Sequence, residues 1–72
     1  MDTLRRKLRV EWVEITLADS ARTENDEDDP TLVHALRPIP EKSFQVLRVV
    51  YNETLDPVIV VTAYFDGEVT DL

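Results

Sequence analysis

Cysteine is absent from this chain of 72 residues, and glycine and histidine occur only as Gly67 and His34. Without cysteine there can be no disulfide bond or thiolate metal site, and one histidine cannot form a histidine metal cluster. A single glycine excludes the glycine-rich loops that bind nucleotide phosphates. No apolar stretch approaches the roughly 20 residues that span a bilayer, and no secretory signal follows the cationic N-terminus. We therefore expect a cytoplasmic protein without membrane contact, metal or cofactor.

Positive charge is scarce, since the chain has 8 Lys and Arg residues but 15 Asp and Glu residues, and its formal net charge is −7. Binding to nucleic-acid phosphates needs an excess of Lys and Arg, so this balance disfavours RNA as a partner. The charge is unevenly distributed, with cationic residues crowded into residues 5–9 and carboxylates into residues 24–29. A local basic surface therefore stays open as an alternative.

The chain is short, and residues 1–72 have room for one domain. A domain of this size buries only about 60% of the surface that its unfolded chain exposes, so its stability is marginal. Small domains compensate with disulfides, metals or a partner chain. With the first two excluded, good local packing or self-association is the expected compensation.

The N-terminal quarter of the chain has the periodicity of a helix. Apolar residues fall at spacings of three and four along one face, with two more beside them: Leu4, Leu8, Trp12 and Ile15, then Val13 and Leu17. Asp2 or Thr3 can cap the start, and Asp19-Ser20 should end the helix. The pattern predicts a helix over about residues 4–18, with Trp12 as its anchor in the core.

Residues 24–30 are acidic and end in Pro30, which is typical of a solvated loop. Clustered carboxylates also suggest calcium. This is the weaker alternative, because calcium loops of the helix–loop–helix kind need a glycine that is missing here.

After Pro30 the period of the pattern changes to two, which predicts strands. Residues 31–37 form the first, with Leu32, His34 and Leu36 on one face and Val33 and Ala35 on the other. Two prolines, Pro38 and Pro40, should stop it. Residues 44–51 and 58–65 are rich in β-branched and aromatic residues, which predicts two strands. Residues 52–57 between them are typical of a turn, so the two strands should form a hairpin.

The predicted fold class is α+β, with an N-terminal helix packed on an antiparallel sheet of three to four strands that ends in a long hairpin. Both hairpin strands are apolar on both faces. In a sheet with one solvent-exposed face, apolar and polar residues alternate more regularly along each strand. Either the helix covers one face and another chain the other, or the sheet curls on itself. A homodimer through this surface is the partner that the pattern favours.

No established catalytic motif is present, but a metal-free ribonuclease needs only a general acid and base together with Arg or Lys for the charged transition state. The residues of these types on predicted strands are His34, Arg37, Arg48, Tyr51 and Tyr64. Each has a purely structural alternative. His34 suits a half-buried histidine with satisfied hydrogen bonds, Arg48 suits an ion pair with a carboxylate, and the tyrosines suit core or interface positions.

Several segments together resemble a family of small uncharacterised bacterial domains. The resemblance covers residues 6–66 and is carried by residues 11–17, 28–30, 34–37 (His-Ala-Leu-Arg), 39–41, 46–52 (Val-Leu-Arg-Val-Val-Tyr-Asn) and 61–66 (Val-Thr-Ala-Tyr-Phe-Asp). It implies a distant relation to RelE-like and BrnT-like toxins of toxin–antitoxin systems, in the barnase–EndoU–colicin–RelE superfold.

The resemblance also implies candidate catalytic residues, namely Arg48, Tyr64 and, with less weight, His34. The chain departs from the family pattern at its start, because members carry an upstream His-Ala-x-x-Arg-Met segment that is missing here. We therefore expect either a degenerate member or a start assigned too late.

Two hypotheses follow from the sequence. The first is a protein-interaction module of toxin-like fold that lacks catalytic activity and binds a second copy or an antitoxin-like protein through the apolar hairpin. The alternative is a metal-independent endoribonuclease toxin that an antitoxin neutralises. The acidic charge favours the first hypothesis, and the resemblance favours the second.

Overall fold

The structure, a computed structural model, describes residues 8–69. In that range one α-helix packs on a four-stranded antiparallel sheet, which confirms the α+β class. The elements in chain order are α1 (Val10–Ala18), β1 (Arg22–Asn25), β2 (Leu32–Ile39), β3 (Gln45–Asn52) and β4 (Ile59–Phe65), with a 3-10 turn at Pro40–Lys42. The helix is too short to span a membrane, and no other helix in residues 8–69 could do so.

The sheet is a meander in which each strand pairs with the next one along the chain, in the order β1-β2-β3-β4. Residues that face each other in an antiparallel register share a face of the sheet. Leu47 lies between Arg37 and Phe65, and Arg48 lies between Leu36 and Tyr64. Since Leu47 belongs to the core beneath the helix, the residues in register with Arg48 lie on the opposite face.

The core lies between α1 and the sheet. Its buried residues come from the three longer strands: Ile39, Leu47, Val49 and Ala63. Leu8, Trp12, Val13, Leu17 and Phe65 pack against them. The rings of Trp12 and Phe65 meet edge to face with their centroids 6.0 Å apart. The predicted role of Trp12 as the anchor of the helix is therefore confirmed.

The helical face is rotated from the one predicted. Ile15, predicted to be in the apolar stripe, is 42% exposed, whereas Thr16 is fully buried and donates a hydrogen bond to the Trp12 carbonyl oxygen at 2.7 Å. The hydroxyl can be buried because this bond within the helix satisfies it. Residues 4–7 of the predicted helix, and the caps Asp2 and Thr3, lie outside the described residues.

Strand β1 was not predicted, because residues 24–30 were assigned to a loop. Arg22–Asn25 has no apolar residue, so no hydrophobic alternation marks it. It forms a strand because its backbone pairs with the edge of β2, with Glu24 opposite His34 and Thr23 opposite Ala35. Only residues 26–31 remain as the turn.

The two prolines were predicted to stop the strand of residues 31–37, but β2 continues through Pro38 and ends at Ile39, directly before Pro40. The Leu36 carbonyl accepts a hydrogen bond from the Ala21 N–H at 2.8 Å, so even-numbered residues of β2 direct their backbone groups towards β1. Arg22, the first residue of β1, lies opposite Leu36, so no residue of β1 faces Pro38. The missing N–H of Pro38 therefore costs no ladder hydrogen bond.

The predicted hairpin is confirmed as β3 and β4, which pair from Leu47 opposite Phe65 to Asn52 opposite Ile59. A bulge at Val50 and Tyr51 shifts the register within it. The Asp66 N–H donates to the Val46 carbonyl at 2.8 Å, so even-numbered residues of β4 up to the bulge turn their backbone groups towards β3. Those of Ala63 and Phe65 therefore point to the outer edge.

Candidate functional site

Polar side chains from all parts of the sheet meet on the face away from the helix. They are Glu24 on β1, Asp26 after it, His34 on β2, Arg48 on β3 and Asp66 after β4. We call these five residues the Arg48 cluster. Around it lie buried apolar residues of the same face, namely Leu36, Val46 and Val50. The cluster is thus a polar patch with apolar surroundings.

Arg48 makes three polar contacts and its side chain is 13% exposed. Its Nε donates to Asp66 Oδ2 at 2.8 Å, and its Nη1 lies 3.3 Å from Glu24 Oε1 and 2.8 Å from His34 Nδ1. Burial acts to lower the pKa of Arg48, but the hydrogen bonds to Asp66 and Glu24 outweigh it and raise the pKa. Arg48 is therefore a fixed cation whose charge is matched by carboxylates.

The two ring nitrogens of His34 have different partners. Nε2 lies 2.7 Å from Asp26 Oδ1, and Nδ1 lies 2.8 Å from the Arg48 guanidinium. An arginine only donates hydrogen bonds, so Nδ1 must accept and carry no proton. The tautomer that satisfies both contacts carries its proton on Nε2 and donates it to Asp26. His34 is the satisfied, half-buried histidine that was one of its two interpretations.

Turn geometry holds two of the carboxylates in place. Asp26 Oδ2 accepts the backbone N–H groups of Asp28 at 3.1 Å and Asp29 at 3.0 Å. The hydrogen bond from His34 and then these two N–H groups lower the pKa of Asp26. The Glu68 N–H, 3.0 Å from Asp66 Oδ1, is the main cause of the lowered pKa of Asp66, and Arg48 lowers it further. Both side chains are thus preorganised as anions.

A cleft of about 350 Å³ opens beside His34 and Arg48. Its other walls come from the turn after β1, and they are largely acidic: Glu24, Asn25, Asp26, Glu27 and Asp28. A phosphate entering this cleft would meet more carboxylates than cations. In residues 8–69 no three His, Asp or Glu side chains are placed to hold a metal ion.

The structure separates the predicted catalytic residues into two groups. His34 and Arg48 are in contact, and Tyr64 lies opposite Arg48 in the β3–β4 register. Arg37 and Tyr51 belong to the face that carries the helix. Arg37 donates to the Asp19 carbonyl oxygen at 2.7 Å and so ties β2 to the end of α1.

Sequence reasoning missed the three carboxylates of the Arg48 cluster, because Glu24 and Asp26 are in the segment assigned to a loop and Asp66 lies just beyond the last predicted strand. The spacing holds a signal for two of them. Glu24 and Asp26 precede His34 by ten and eight residues, which is the reach of a hairpin about a short turn. Asp66 directly follows the strand that pairs with Arg48.

The outer edge of β4 is a second candidate surface. Val61 is 58% exposed, and Ile59 and Val60 are exposed beside it. No strand among residues 8–69 pairs with this edge, because β4 is last in the sheet. Residues 57–65 are also the longest stretch of the chain without a charged residue.

An apolar cleft lies beside this edge, on the helix side. It has a volume of about 200 Å³ and is lined by Leu8, Arg9, Val10, Val13, Val60 and Ala63. Every second side chain of a strand added to β4 would point towards that side of the sheet. The edge therefore combines backbone hydrogen-bonding groups with a place for an apolar side chain.

No protein-family profile, no curated protein and no solved structure matches this chain.

Proposed function

We propose that this chain is a protein-interaction module without catalytic activity, which binds an extended segment of polypeptide at the outer edge of β4. The observation that carries the proposal is this edge, which has no charged residue from Val58 to Phe65 and whose side chains are exposed at residues 58–62 and at Tyr64. Proteins usually protect such edges with charges, proline or a covering element. An edge left open is the surface that strand addition uses in peptide recognition.

The two edges of the sheet differ in the way that this proposal requires. Strand β1 has four residues and carries Arg22 and Glu24, which form an ion pair at 3.0 Å. Strand β4 has seven residues and no charge. Backbone hydrogen bonds from Ala63 and Phe65 would supply affinity, and the apolar cleft beside them would supply selectivity.

The polar face argues against the alternative, a metal-independent endoribonuclease toxin. That alternative gains support from the contact between His34 and Arg48, with Tyr64 opposite. In a ribonuclease, however, the arginine must be free to neutralise a phosphate. Here Asp66 and Glu24 already neutralise Arg48, and the acidic walls of the cleft would repel RNA.

The test is selection of extended decapeptides from a displayed library, followed by amide NMR of the chain with the selected peptides. We expect shift changes centred on the outward amides of Ala63 and Phe65. Val61→Lys should abolish binding, because a charge protects an edge strand against pairing. Thr23→Lys, which adds the same charge to the exposed β1, should leave binding unchanged. Peptides that bind elsewhere, or no binding peptides, would contradict the proposal.

A parallel assay separates the alternative function. The chain is incubated with total bacterial RNA, beside an Arg48→Lys variant that keeps the charge but loses the planar guanidinium. We expect intact RNA in both samples. Cleavage by the original chain that disappears in the variant would overturn the interaction module and establish the endoribonuclease.

A further inference from the structure

We infer that the segment bound at the β4 edge is basic at its ends, with Lys or Arg residues on both sides of a short apolar strand. This inference rests on the proposed function and names the chemistry of its partner. Carboxylates lie beside both ends of β4, since Asp56 precedes it in the turn from β3, and Asp66 and Glu68 follow it. The whole chain has a formal net charge of −7, so its field attracts cations.

Two of these carboxylates are available to a partner. Asp56 and Glu68 are exposed, and neither forms an ion pair with a cation among residues 8–69. Asp66 is different, because Arg48 neutralises it at 2.8 Å. A strand added to β4 would run beside Ile59–Phe65, a length of roughly 20 Å at about 3.4 Å per residue. A basic side chain just beyond each end of that length would lie near Asp56 at one end and Glu68 at the other.

Between the two ends the edge favours an apolar segment. The cleft on the helix side is mainly apolar, and two cations lie on the same side of the sheet. Arg9 lines the cleft, and Lys42 Nζ is 5.9 Å from the centre of the Phe65 ring. Both would repel a basic side chain there. On the opposite face Thr62 and Tyr64 are exposed in β4, so polar side chains fit that side. The segment therefore alternates apolar and polar residues between its basic ends.

The same carboxylates disfavour a second copy of this chain as the occupant. Antiparallel pairing of two β4 strands would bring Glu68 of one copy near Asp56 of the other at both ends of the joint. Like charges that meet across a strand pair destabilise it. A basic segment forms ion pairs at the two places where a second copy meets repulsion, so the edge selects its partner by charge.

The test uses three synthetic peptides that share a strand of alternating Val and Thr and differ only in their ends, which carry Lys, Gln or Glu. Fluorescence anisotropy measures the dissociation constant of each peptide with the full chain, and amide NMR locates the bound peptide. We expect amide shifts at Ala63 and Phe65. The Lys peptide should bind about fivefold more tightly than the Gln peptide, because each exposed ion pair contributes modestly. The Glu peptide should bind most weakly.

Matched variants show whether the two carboxylates cause the preference. Asp56→Asn combined with Glu68→Gln should reduce the affinity for the Lys peptide to that for the Gln peptide. Glu27→Gln combined with Asp28→Asn makes the same change in net charge in the turn after β1. That turn is three to four strand spacings, or roughly 14–19 Å, from the added strand, which exceeds the Debye length of about 8 Å at physiological salt. The preference for Lys should therefore remain in this control.

The outcomes separate this inference from the proposed function. Peptides that bind at Ala63 and Phe65 with equal affinity, whatever their ends, overturn the basic partner and leave the interaction module standing. A preference for Lys that persists in the variant of Asp56 and Glu68, or amide shifts centred on the turn after β1, places the attraction elsewhere and also overturns the inference. If neither these three peptides nor any library peptide binds, both proposals are contradicted.

Discussion

Ser43 and Phe44 have an unusual backbone conformation for residues with side chains. Their φ angles are +57° and +62°, in the left-handed region that favours glycine. They turn the chain from the 3-10 turn into β3, where the Phe44 N–H donates to the Ile39 carbonyl at 2.9 Å. This turn therefore holds backbone strain, since each such residue costs about 1 kcal/mol or more.

Replacing Ser43 by glycine should relieve part of this strain. We expect Ser43→Gly to be more stable than Ser43→Ala by about 1 kcal/mol, because both variants lose the hydroxyl and only glycine adopts a positive φ without cost. Urea unfolding of the two variants measures the difference. Equal free energies of unfolding would show that the turn is not strained at Ser43.

At the scale of the elements, the helix depends on a narrow face for its packing. Leu17 packs against the core cluster, and Ile15 faces outwards. We expect Leu17→Ala to lower the free energy of unfolding by about 1–2 kcal/mol, because it removes apolar contacts under the helix. Ile15→Ala should change it by less than about 0.5 kcal/mol.

Thermal and urea unfolding of this matched pair provide the measurement. Both variants make the helix locally more favourable, since alanine has the highest helix propensity. Any difference between them therefore reports packing against the sheet. A larger loss for Ile15→Ala would mean that the helix packs in the rotation that its apolar spacing predicts.

The elements that the sequence predicted best are those with a strong apolar signal. The hairpin of β3 and β4 is such a case, because β-branched residues fill both strands. Strand β1 has no such signal, and only the backbone edge of β2 makes it a strand. The rotation of the helix, with Thr16 buried in place of Ile15, depends on tertiary packing and is not visible in the spacing of apolar residues.

The candidate site was predictable in part for a similar reason. Arg48 and His34 stand out as polar residues in apolar strands, so the sequence points to them. Their partners Asp26 and Asp66 are in segments that look like ordinary polar turns. Only the strand register brings them to Arg48 and His34, and register depends on the whole sheet.

At the scale of the whole molecule, acid should destabilise the fold. Asp26, Asp29 and Asp66 all have a lowered pKa, caused mainly by hydrogen bonds from His34, Thr31 and the Glu68 N–H, respectively. A carboxyl group with a lowered pKa stabilises the folded state above its unfolded pKa of about 3.9. That stabilisation is lost as the pH falls through the folded pKa.

We expect the contribution of Asp66 to show this dependence. Asp66→Asn keeps an oxygen for the Glu68 N–H but removes the charge that faces Arg48. The variant should be less stable than the original chain at pH 7, and the difference should shrink as the pH falls below the unfolded pKa of about 3.9 and through the lower folded pKa of Asp66. Urea unfolding at a series of pH values measures it, and a difference independent of pH would contradict the assignment.

The meander order has a consequence for the way in which the chain folds. Connections of five or six residues join each strand to the next. The contacts between paired strands are therefore local, and forming them costs little loop-closure entropy. The Arg48 cluster is different, because Arg48 contacts Glu24 and Asp66, which are 24 and 18 residues away in opposite directions. The three hairpins can form one after another, but the cluster closes only when β1 and β4 have both joined the central pair. Its closure is therefore a marker of the completed sheet.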